Sequence, residues 1–123
     1  MKLRNELYKI IDKEREDEMA VYALEMCKDS VIYKAHFPNH PVTPGVCIVQ
    51  MAVELAEDYI GRLLMLVKVQ NVKFLSVLSP DNTNMVKYRL YNFREDVSTI
   101  SFDSIVMSGE VVLSRMSLSC KKI

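Results

Sequence analysis

Hydrophobic and polar positions divide the chain into one apolar helical segment and several alternating segments. Between residues 47 and 66 the apolar residues recur every three or four positions, which is the spacing of one face of an α-helix. Apolar residues also occupy the flanking positions, so the predicted helix is apolar over much of its circumference. Such a helix is expected to be buried. No other segment predicts a strong helix.

Alternation of β-branched or aromatic residues with polar ones predicts strands on both sides of this helix. The predicted strands cover residues 19–27, 66–78, 84–93, 97–107 and 110–120. Antiparallel strands with a single long helix inserted after the first of them indicate an α+β fold, in which one sheet wraps one helix.

The remaining segments predict shorter features. Residues 7–11 are apolar and fit a strand or a short helix, the charged run 13–18 fits a solvated turn, and 29–33 fit a brief turn. Turns are also predicted at residues 80–82, 94–96 and 108–109. No linker or repeat interrupts the chain, so residues 1–123 are predicted to form a single domain.

Composition narrows the function classes. Half of the residues are hydrophobic, 26% are charged and the formal net charge is zero, as in an ordinary globular protein. The absence of a basic excess argues against nucleic acid as a partner. Apolar runs are too short for a membrane span, and the first residues lack the apolar core of a signal peptide. We therefore predict a protein with no membrane partner.

The three cysteines, Cys27, Cys47 and Cys120, are scattered along the chain. Their spacing matches no zinc motif, and no metal is predicted. Buried free thiols in a reducing compartment explain them best, which predicts a cytoplasmic location. A thiol of lowered pKa at the helix start is the alternative for Cys47.

Residues 36–45 hold three of the four prolines, both histidines and one of the three glycines. Proline fixes φ and keeps the preceding residue out of the α region, so this loop is expected to be stiff and extended. It leads directly into the helix and delivers His36 to the helix start. An imidazole held there can exchange a proton near neutral pH.

The run from His36 through Phe37, Pro38, Pro41 and Pro44 to Gly45-Val46 resembles the signature of hotdog-fold 3-hydroxyacyl-acyl-carrier-protein dehydratases. Residues 72–81, with a basic residue, Phe and a Pro-Asp turn, are similar to the strand that follows the helix in that family. This chain lacks the glycine of that turn.

The resemblance implies a hotdog fold in a homodimer with a continuous sheet, and it also allows a trimer of dimers. It implies acyl thioesters on acyl carrier protein or coenzyme A as substrates in fatty-acid or related biosynthesis, with neither an organic cofactor nor a metal. Lys68 and Lys73 are candidates for contact with an acidic carrier protein, although a solvated strand face is the commoner explanation for such lysines.

For the active-site residues, the resemblance implies that His36 is the base and that the Gly45 N–H polarises the thioester carbonyl. Phe37, Pro44 and Val46 are expected to bind substrate. The family's acidic residue lies fourteen positions after the histidine, where this chain has Gln50. One turn later Glu54 stands where the family usually has glutamine.

The exchange of acid and amide leaves several interpretations open. One hypothesis is that Glu54 protonates the leaving hydroxyl while Gln50 orients it. Glu54 is otherwise a partner for Arg62 or a buried, hydrogen-bonded carboxylate, and Gln50 then marks a site that has lost activity. His36 alone could be a structural turn residue, and His40 is expected to be an exposed loop residue. A dehydratase, an acyl-thioesterase and a non-catalytic acyl-carrier-binding subunit are all compatible with these residues.

Overall fold

The computed structural model describes residues 2–123, which form one antiparallel sheet packed on one long helix. The elements in chain order are β1 (Tyr8–Glu16), β2 (Met19–Met26), α1 (Val31–Ala35), α2 (Gly45–Ile60), β3 (Leu64–Phe74), β4 (Met85–Glu95), β5 (Thr99–Ser108) and β6 (Val111–Lys122). The strand order is β1-β2-β4-β5-β6-β3, so β1 and β3 are the two edges of the sheet. This arrangement confirms the predicted α+β class.

One face of the sheet carries the core because buried and partly exposed residues alternate along β2, β4 and β5. Helix α2 covers that face and buries most of its own side chains, as its broad apolar pattern predicts. Tyr88 of β4 is fully buried and donates a hydrogen bond to the Ile48 carbonyl of α2 at 2.9 Å. This bond ties the sheet to the first half of the helix.

Helix α2 ends earlier than predicted. Gly61 has φ of 79°, in the left-handed region, and its N–H donates to the Glu57 carbonyl at 2.8 Å. Glycine adopts this conformation at little cost and so terminates helices. Leu64 already belongs to β3, where its N–H donates to the Glu57 carboxylate at 2.8 Å. The prediction of helix up to residue 66 was therefore wrong by about one and a half turns.

The charged run 13–18 is mostly strand, and its prediction as a turn was wrong. Residues 13–16 pair with β2, with Lys13 opposite Tyr22 and Glu16 opposite Met19. Charged side chains suit this position because β1 is an edge strand, where they discourage pairing with another chain. Only residues 17 and 18 turn the chain.

Two other short segments also differ from expectation. Helix α1 replaces most of the turn predicted at 29–33, and Ser30 caps it by accepting a hydrogen bond from the Ile32 N–H at 3.2 Å. Residues 94 and 95, predicted as a turn, still belong to β4. Within residues 2–123, no helix combines the length and apolar character that a membrane crossing requires.

Candidate active site

The proline-rich loop closes on itself immediately after α1. Phe37 and His40 exchange backbone hydrogen bonds of 3.3 and 3.1 Å, and the Val42 N–H donates to the His36 carbonyl at 3.0 Å. The peptide bond between His36 and Phe37 is cis. The loop therefore forms a closed turn with His36 at its base, and His40 is exposed at the far end, as predicted.

The imidazole of His36 is half-buried and has two neighbours within the loop. Its Nδ1 lies 3.4 Å from the Val42 carbonyl oxygen, and its ring centroid lies 4.1 Å from that of Phe37. A carbonyl oxygen can only accept, so Nδ1 carries the proton in this long contact. In the neutral ring Nε2 then keeps its lone pair, which is the arrangement that a general base needs.

Thr43 fastens the end of the loop to two other parts of the fold. It is buried, its N–H donates to the Leu78 carbonyl at 2.8 Å, and its hydroxyl lies 2.7 Å from that of Tyr33 in α1. Burial raises the pKa of Tyr33 to about 12, so the phenol stays protonated at neutral pH. The loop thus enters α2 from a fixed direction.

Helix α2 begins with Gly45 directly under the ring of Phe74. A β-carbon at position 45 would lie 2.8 Å from Cζ of Phe74, so a side chain there would displace the ring. The first N–H groups of a helix have no carbonyl partner within the helix, and the helix dipole is positive at this end. Gly45 therefore has its backbone N–H at the start of the helix, beside the ring of Phe74.

Two cavities adjoin the start of α2. The first, which we call the Gln50 cavity, has a volume of about 570 Å³ and is apolar apart from one side chain; its lining residues are Gly45, Val46, Val49, Gln50, Leu66, Val69, Val72 and Phe74. The second, which we call the Thr43 cavity, has a volume of about 400 Å³; its lining residues are Val42, Thr43, Gly45, Ile48, Phe74, Leu75, Ser76, Val77 and Leu78. Both volumes fall in the range of small-molecule sites.

Gln50 and Glu54 interact directly on α2, because residues four apart share a helix face. The Gln50 amide donates from Nε2 to Oε2 of Glu54 at 3.0 Å. A carboxylate can only accept, so it requires the nitrogen of the amide on this side. Glu54 thereby orients the Gln50 side chain in the wall of the Gln50 cavity.

Glu54 is only 4% exposed, and three further donors from the N-terminal segment surround its carboxylate. The Leu3 N–H donates to Oε2 at 2.8 Å, and the Arg4 N–H and the Tyr8 hydroxyl each donate to Oε1 at 2.9 Å. Burial, followed by the negative charge of Glu54, raises the pKa of Tyr8 well above its usual value. The phenol is therefore a donor at any physiological pH.

These four bonds match one of the alternatives for Glu54, the buried, hydrogen-bonded carboxylate. All four partners donate, so both carboxylate oxygens act as acceptors in this arrangement. Arg62, the other partner considered, donates instead to the Ile123 carbonyl at 2.9 Å.

The remaining sequence candidates lie around the same helix start. Pro44 is the residue that precedes α2, Val46 is 79% exposed beside the Gln50 cavity, and Phe37 is half-exposed against His36. His36 contacts Val42 of the Thr43 cavity, whereas Gln50 lines the other cavity. Gly45 lines both cavities.

Cys47 is a packed thiol in the first turn of α2. It is buried, and burial raises its pKa, which argues against a reactive thiolate. Residues 2–123 contain no group of three histidine, cysteine or acidic side chains placed to hold a metal ion.

Sequence reasoning missed Tyr33, Thr43 and the ring of Phe74 as parts of this site. Tyr33 and Thr43 contact each other across ten positions, and Phe74 reaches Gly45 from another element. Their contacts depend on tertiary structure, so no local pattern marks them.

Comparison with known proteins assigns the chain to a family. Residues 12–114 match the model of the ApeI-like family, described as ApeI dehydratase. The chain belongs to the ApeI-like dehydratase family. It is also 24% identical to the 3-hydroxyacyl-[acyl-carrier-protein] dehydratase FabZ of Lactiplantibacillus plantarum over 86% of this chain and 80% of that protein. Across the first FabZ relatives, the matched share of the relative's own length falls as low as 57%.

Solved structures show the same fold. A chain of the dehydratase heterocomplex ApeI:P from Xenorhabdus doucetiae superposes with a TM-score of 0.73 at 19% identity, covering 92% of this chain and 96% of that one. A hypothetical thioesterase from Streptococcus pneumoniae, solved with coenzyme A, superposes with a TM-score of 0.66 at 8% identity over 94% and 85% of the two chains. The hotdog architecture expected from the sequence is confirmed.

Proposed function

We propose that this chain binds 3-hydroxyacyl thioesters carried by acyl carrier protein or coenzyme A and takes part in their dehydration, in fatty-acid or related acyl-chain biosynthesis. The observation that carries the proposal is the position of Gly45. Its backbone lies at a helix start between an apolar cavity that contains Gln50 and a loop that presents His36. An apolar tail, a carbonyl and a β-hydroxyl all find complementary groups there.

In the proposed reaction, Nε2 of His36 removes a proton from C2 of the substrate. The thioester oxygen, on which negative charge develops, accepts a hydrogen bond from the Gly45 N–H. The electron pair then forms the C2–C3 double bond, and the C3 hydroxyl leaves as water with the proton that the His36 imidazolium returns. These steps need a base, an oxyanion donor and a proton source.

Gln50 fits only part of the third role. A neutral amide can hold the C3 hydroxyl in position but has no proton to give. Loss of a positioned acid typically costs about 10²–10⁴-fold in rate. We therefore assign Gln50 to orienting the hydroxyl and Glu54 to positioning Gln50 through their 3.0 Å hydrogen bond.

A homodimer joined through β3 is part of the proposal. Strand β3 is a sheet edge, and it exposes four large apolar residues: Met65 at 50%, Val67 at 54%, Val69 at 42% and Phe74 at 50%. An exposed apolar edge favours pairing with another strand. Such pairing would bring the Gln50 cavity of one protomer close to a second copy.

A second candidate follows from Gln50 itself. In this alternative the chain is one subunit of a heteromeric dehydratase and contributes His36, while a second hotdog subunit supplies the carboxylic acid. The ApeI:P structure is a heterocomplex by name, which makes such an assembly a reasonable alternative. A third candidate is an acyl-thioesterase, in which Gln50 orients water towards the carbonyl.

One assay separates these functions. Purified protein is incubated with 3-hydroxyacyl carrier proteins of several chain lengths, and the acyl group is followed by mass spectrometry. His36→Ala is compared with His40→Ala, a matched control because His40 is the exposed histidine of the same loop. Loss of water from the acyl group that disappears only in His36→Ala supports the dehydratase.

Other outcomes favour the alternatives. Release of free acid indicates a thioesterase. If the carrier binds without turnover, the assay is repeated with a second hotdog subunit that carries a glutamate or an aspartate at the position of Gln50. Activity of the mixture that depends on His36 then supports the heteromeric subunit. The absence of binding and turnover in every combination contradicts all three.

A further inference from the structure

The ring of Phe74 stands between the two cavities. Phe74 and Gly45 are the two residues that line both of them. On α2, Ile48 lines the Thr43 cavity and Val49 lines the Gln50 cavity, and neighbouring helix residues point about 100° apart. The cavities therefore lie on opposite flanks of the first turn of α2, with Gly45 on the crest and the Phe74 ring above it.

The Phe74 backbone is fixed, whereas its side chain is partly open to solvent. Phe74 pairs with Ser114 of β6, and the next two N–H groups, of Leu75 and Ser76, both donate to the Leu113 carbonyl at 2.8 and 3.2 Å. Phe74 is 50% exposed, and the outer atoms of its ring lie nearest to the position that a β-carbon on Gly45 would take. Rotation of the ring is thus possible without movement of the strand.

We propose that Phe74 determines which acyl-chain lengths the protein accepts, because its ring closes the Gln50 cavity against the Thr43 cavity. The inference rests on the proposed function and adds a specificity residue to it. With the ring in place, the acyl chain has the cavity of about 570 Å³. With the ring moved or shortened, that space joins the neighbouring cavity of about 400 Å³.

The acyl chain belongs in the Gln50 cavity for two reasons. Seven of its eight lining residues carry no polar side-chain group, and the remaining one, Gln50, is the residue assigned to the C3 hydroxyl. The Thr43 cavity includes the hydroxyl-bearing Thr43 and Ser76. A chain too long for the first cavity would meet the Phe74 ring before it reached the second.

The test is a size series at position 74 that comprises Phe74→Tyr, Phe74→Leu and Phe74→Ala. For each variant, kcat/KM is measured with 3-hydroxyacyl thioesters from short to long. The ratio of long-chain to short-chain kcat/KM is expected to rise about tenfold or more in Phe74→Ala, because a methylene in an apolar pocket is worth at least that factor. Phe74→Leu should be intermediate, and Phe74→Tyr close to wild type.

Ile11→Ala is the matched control. Ile11 is 54% exposed on β1, the opposite edge strand, and is absent from the lining of both cavities. Its chain-length profile should equal that of the wild type. Phe74→Leu keeps the series interpretable if Phe74→Ala fails to fold.

Binding of unreactive S-alkyl pantetheine analogues, measured by calorimetry, separates this inference from the proposed function. Phe74→Ala is expected to bind long analogues about tenfold more tightly than wild type and short ones equally. A wild type that neither binds nor converts any chain length refutes the proposed function. If the wild type binds and converts substrate and Phe74→Ala shows the same chain-length profile, the inference about Phe74 is refuted while the proposed function stands. The inference is also refuted if Phe74→Ala differs from wild type only in its self-association constant, measured by sedimentation, since a second protomer would then occupy the cavity.

Discussion

Replacing Glu54 by glutamine changes one oxygen of a buried carboxylate into the NH2 group of an amide. Two donors converge on each oxygen: Leu3 and Gln50 on Oε2, and Arg4 and Tyr8 on Oε1. An amide presents one acceptor atom and one donor group in their place. The Tyr8 hydroxyl can rotate to accept. The backbone N–H groups of Leu3 and Arg4 have no such freedom.

In either orientation of the new amide, one backbone N–H therefore faces another donor. A buried donor without a partner costs about 1–3 kcal/mol, and each surviving bond loses its charge assistance, worth about 1 kcal/mol. Relief from burying a charge offsets part of this sum. We expect a net loss of about 3 kcal/mol in the free energy of unfolding, or on the order of 10 °C in Tm.

The assay is chemical denaturation of Glu54→Gln beside Glu57→Gln. Glu57 is a matched control on the same helix, because its carboxylate accepts one backbone N–H, from Leu64, and one exposed lysine, Lys2. Its amide can keep the backbone bond and lose only a surface ion pair, which is worth about 0–1 kcal/mol.

Activity adds a second readout for the same variants. Below its melting transition, Glu54→Gln should keep a measurable dehydration rate with a weakened dependence on Gln50, since we propose that Glu54 acts by positioning that side chain. Equal stability of Glu54→Gln and wild type would refute the role of the four hydrogen bonds. Complete loss of turnover in a folded Glu54→Gln would restore the hypothesis that Glu54 is the acid.

Two further predictions concern the far end of α2. Burial alone would raise the pKa of Asp58, but hydrogen bonds from Tyr22 and Lys13 outweigh burial and lower it. The stabilisation by the Asp58 carboxylate is therefore complete above its unfolded-state pKa and is lost as the pH falls through the lower folded-state pKa. Asp58→Asn should be less stable than wild type at pH 7, and in acid titrations this difference should shrink below about pH 4. Gly61→Ala should lose about 1–2 kcal/mol in denaturant melts, because φ at this position is 79° while the space around it is open; an unchanged midpoint would contradict this.

The order of the elements is readable from the sequence because burial on one side of a sheet imposes alternation. That pattern holds along β2, β4 and β5, which the sequence located to within two residues. It fails in β1, where the outer half of an edge strand is solvated on both faces and its charges resemble a turn. The pattern of residues 13–18 reports exposure, which edge strands and turns share.

The candidate site likewise has a part that the sequence predicts and a part that it does not. The loop from His36 to Gly45 is recognisable because its proline and glycine residues are local constraints on the backbone. The environment of Glu54 is not, since its donors at Leu3, Arg4 and Tyr8 lie roughly fifty positions away. A glutamate on an apolar helix face has the same sequence signature whether it transfers protons or fastens the N-terminal segment.

Exchanging the two residues tests whether the site lacks only an acid. Gln50→Glu alone places a second carboxylate at the 3.0 Å contact with Glu54, where two negative charges repel each other. The double variant Gln50→Glu/Glu54→Gln removes that repulsion, because the new amide at position 54 donates to the new carboxylate. It also restores the order of acid and amide that the dehydratase signature has.

We expect the double variant to retain the loss of stability argued for Glu54→Gln and to dehydrate 3-hydroxyacyl thioesters faster than wild type. The increase in rate should approach the lower end of the 10²–10⁴-fold range that a positioned acid contributes, since the surroundings of residue 50 are not arranged for an acid. Gln50→Glu, measured at pH 5 and pH 7, is the control for repulsion, because protonation of one carboxyl relieves it. A double variant that folds, binds substrate analogues and turns over no faster than wild type would show that Gln50 is not the missing acid position. The proton for the leaving hydroxyl would then come from the His36 imidazolium or from a second subunit.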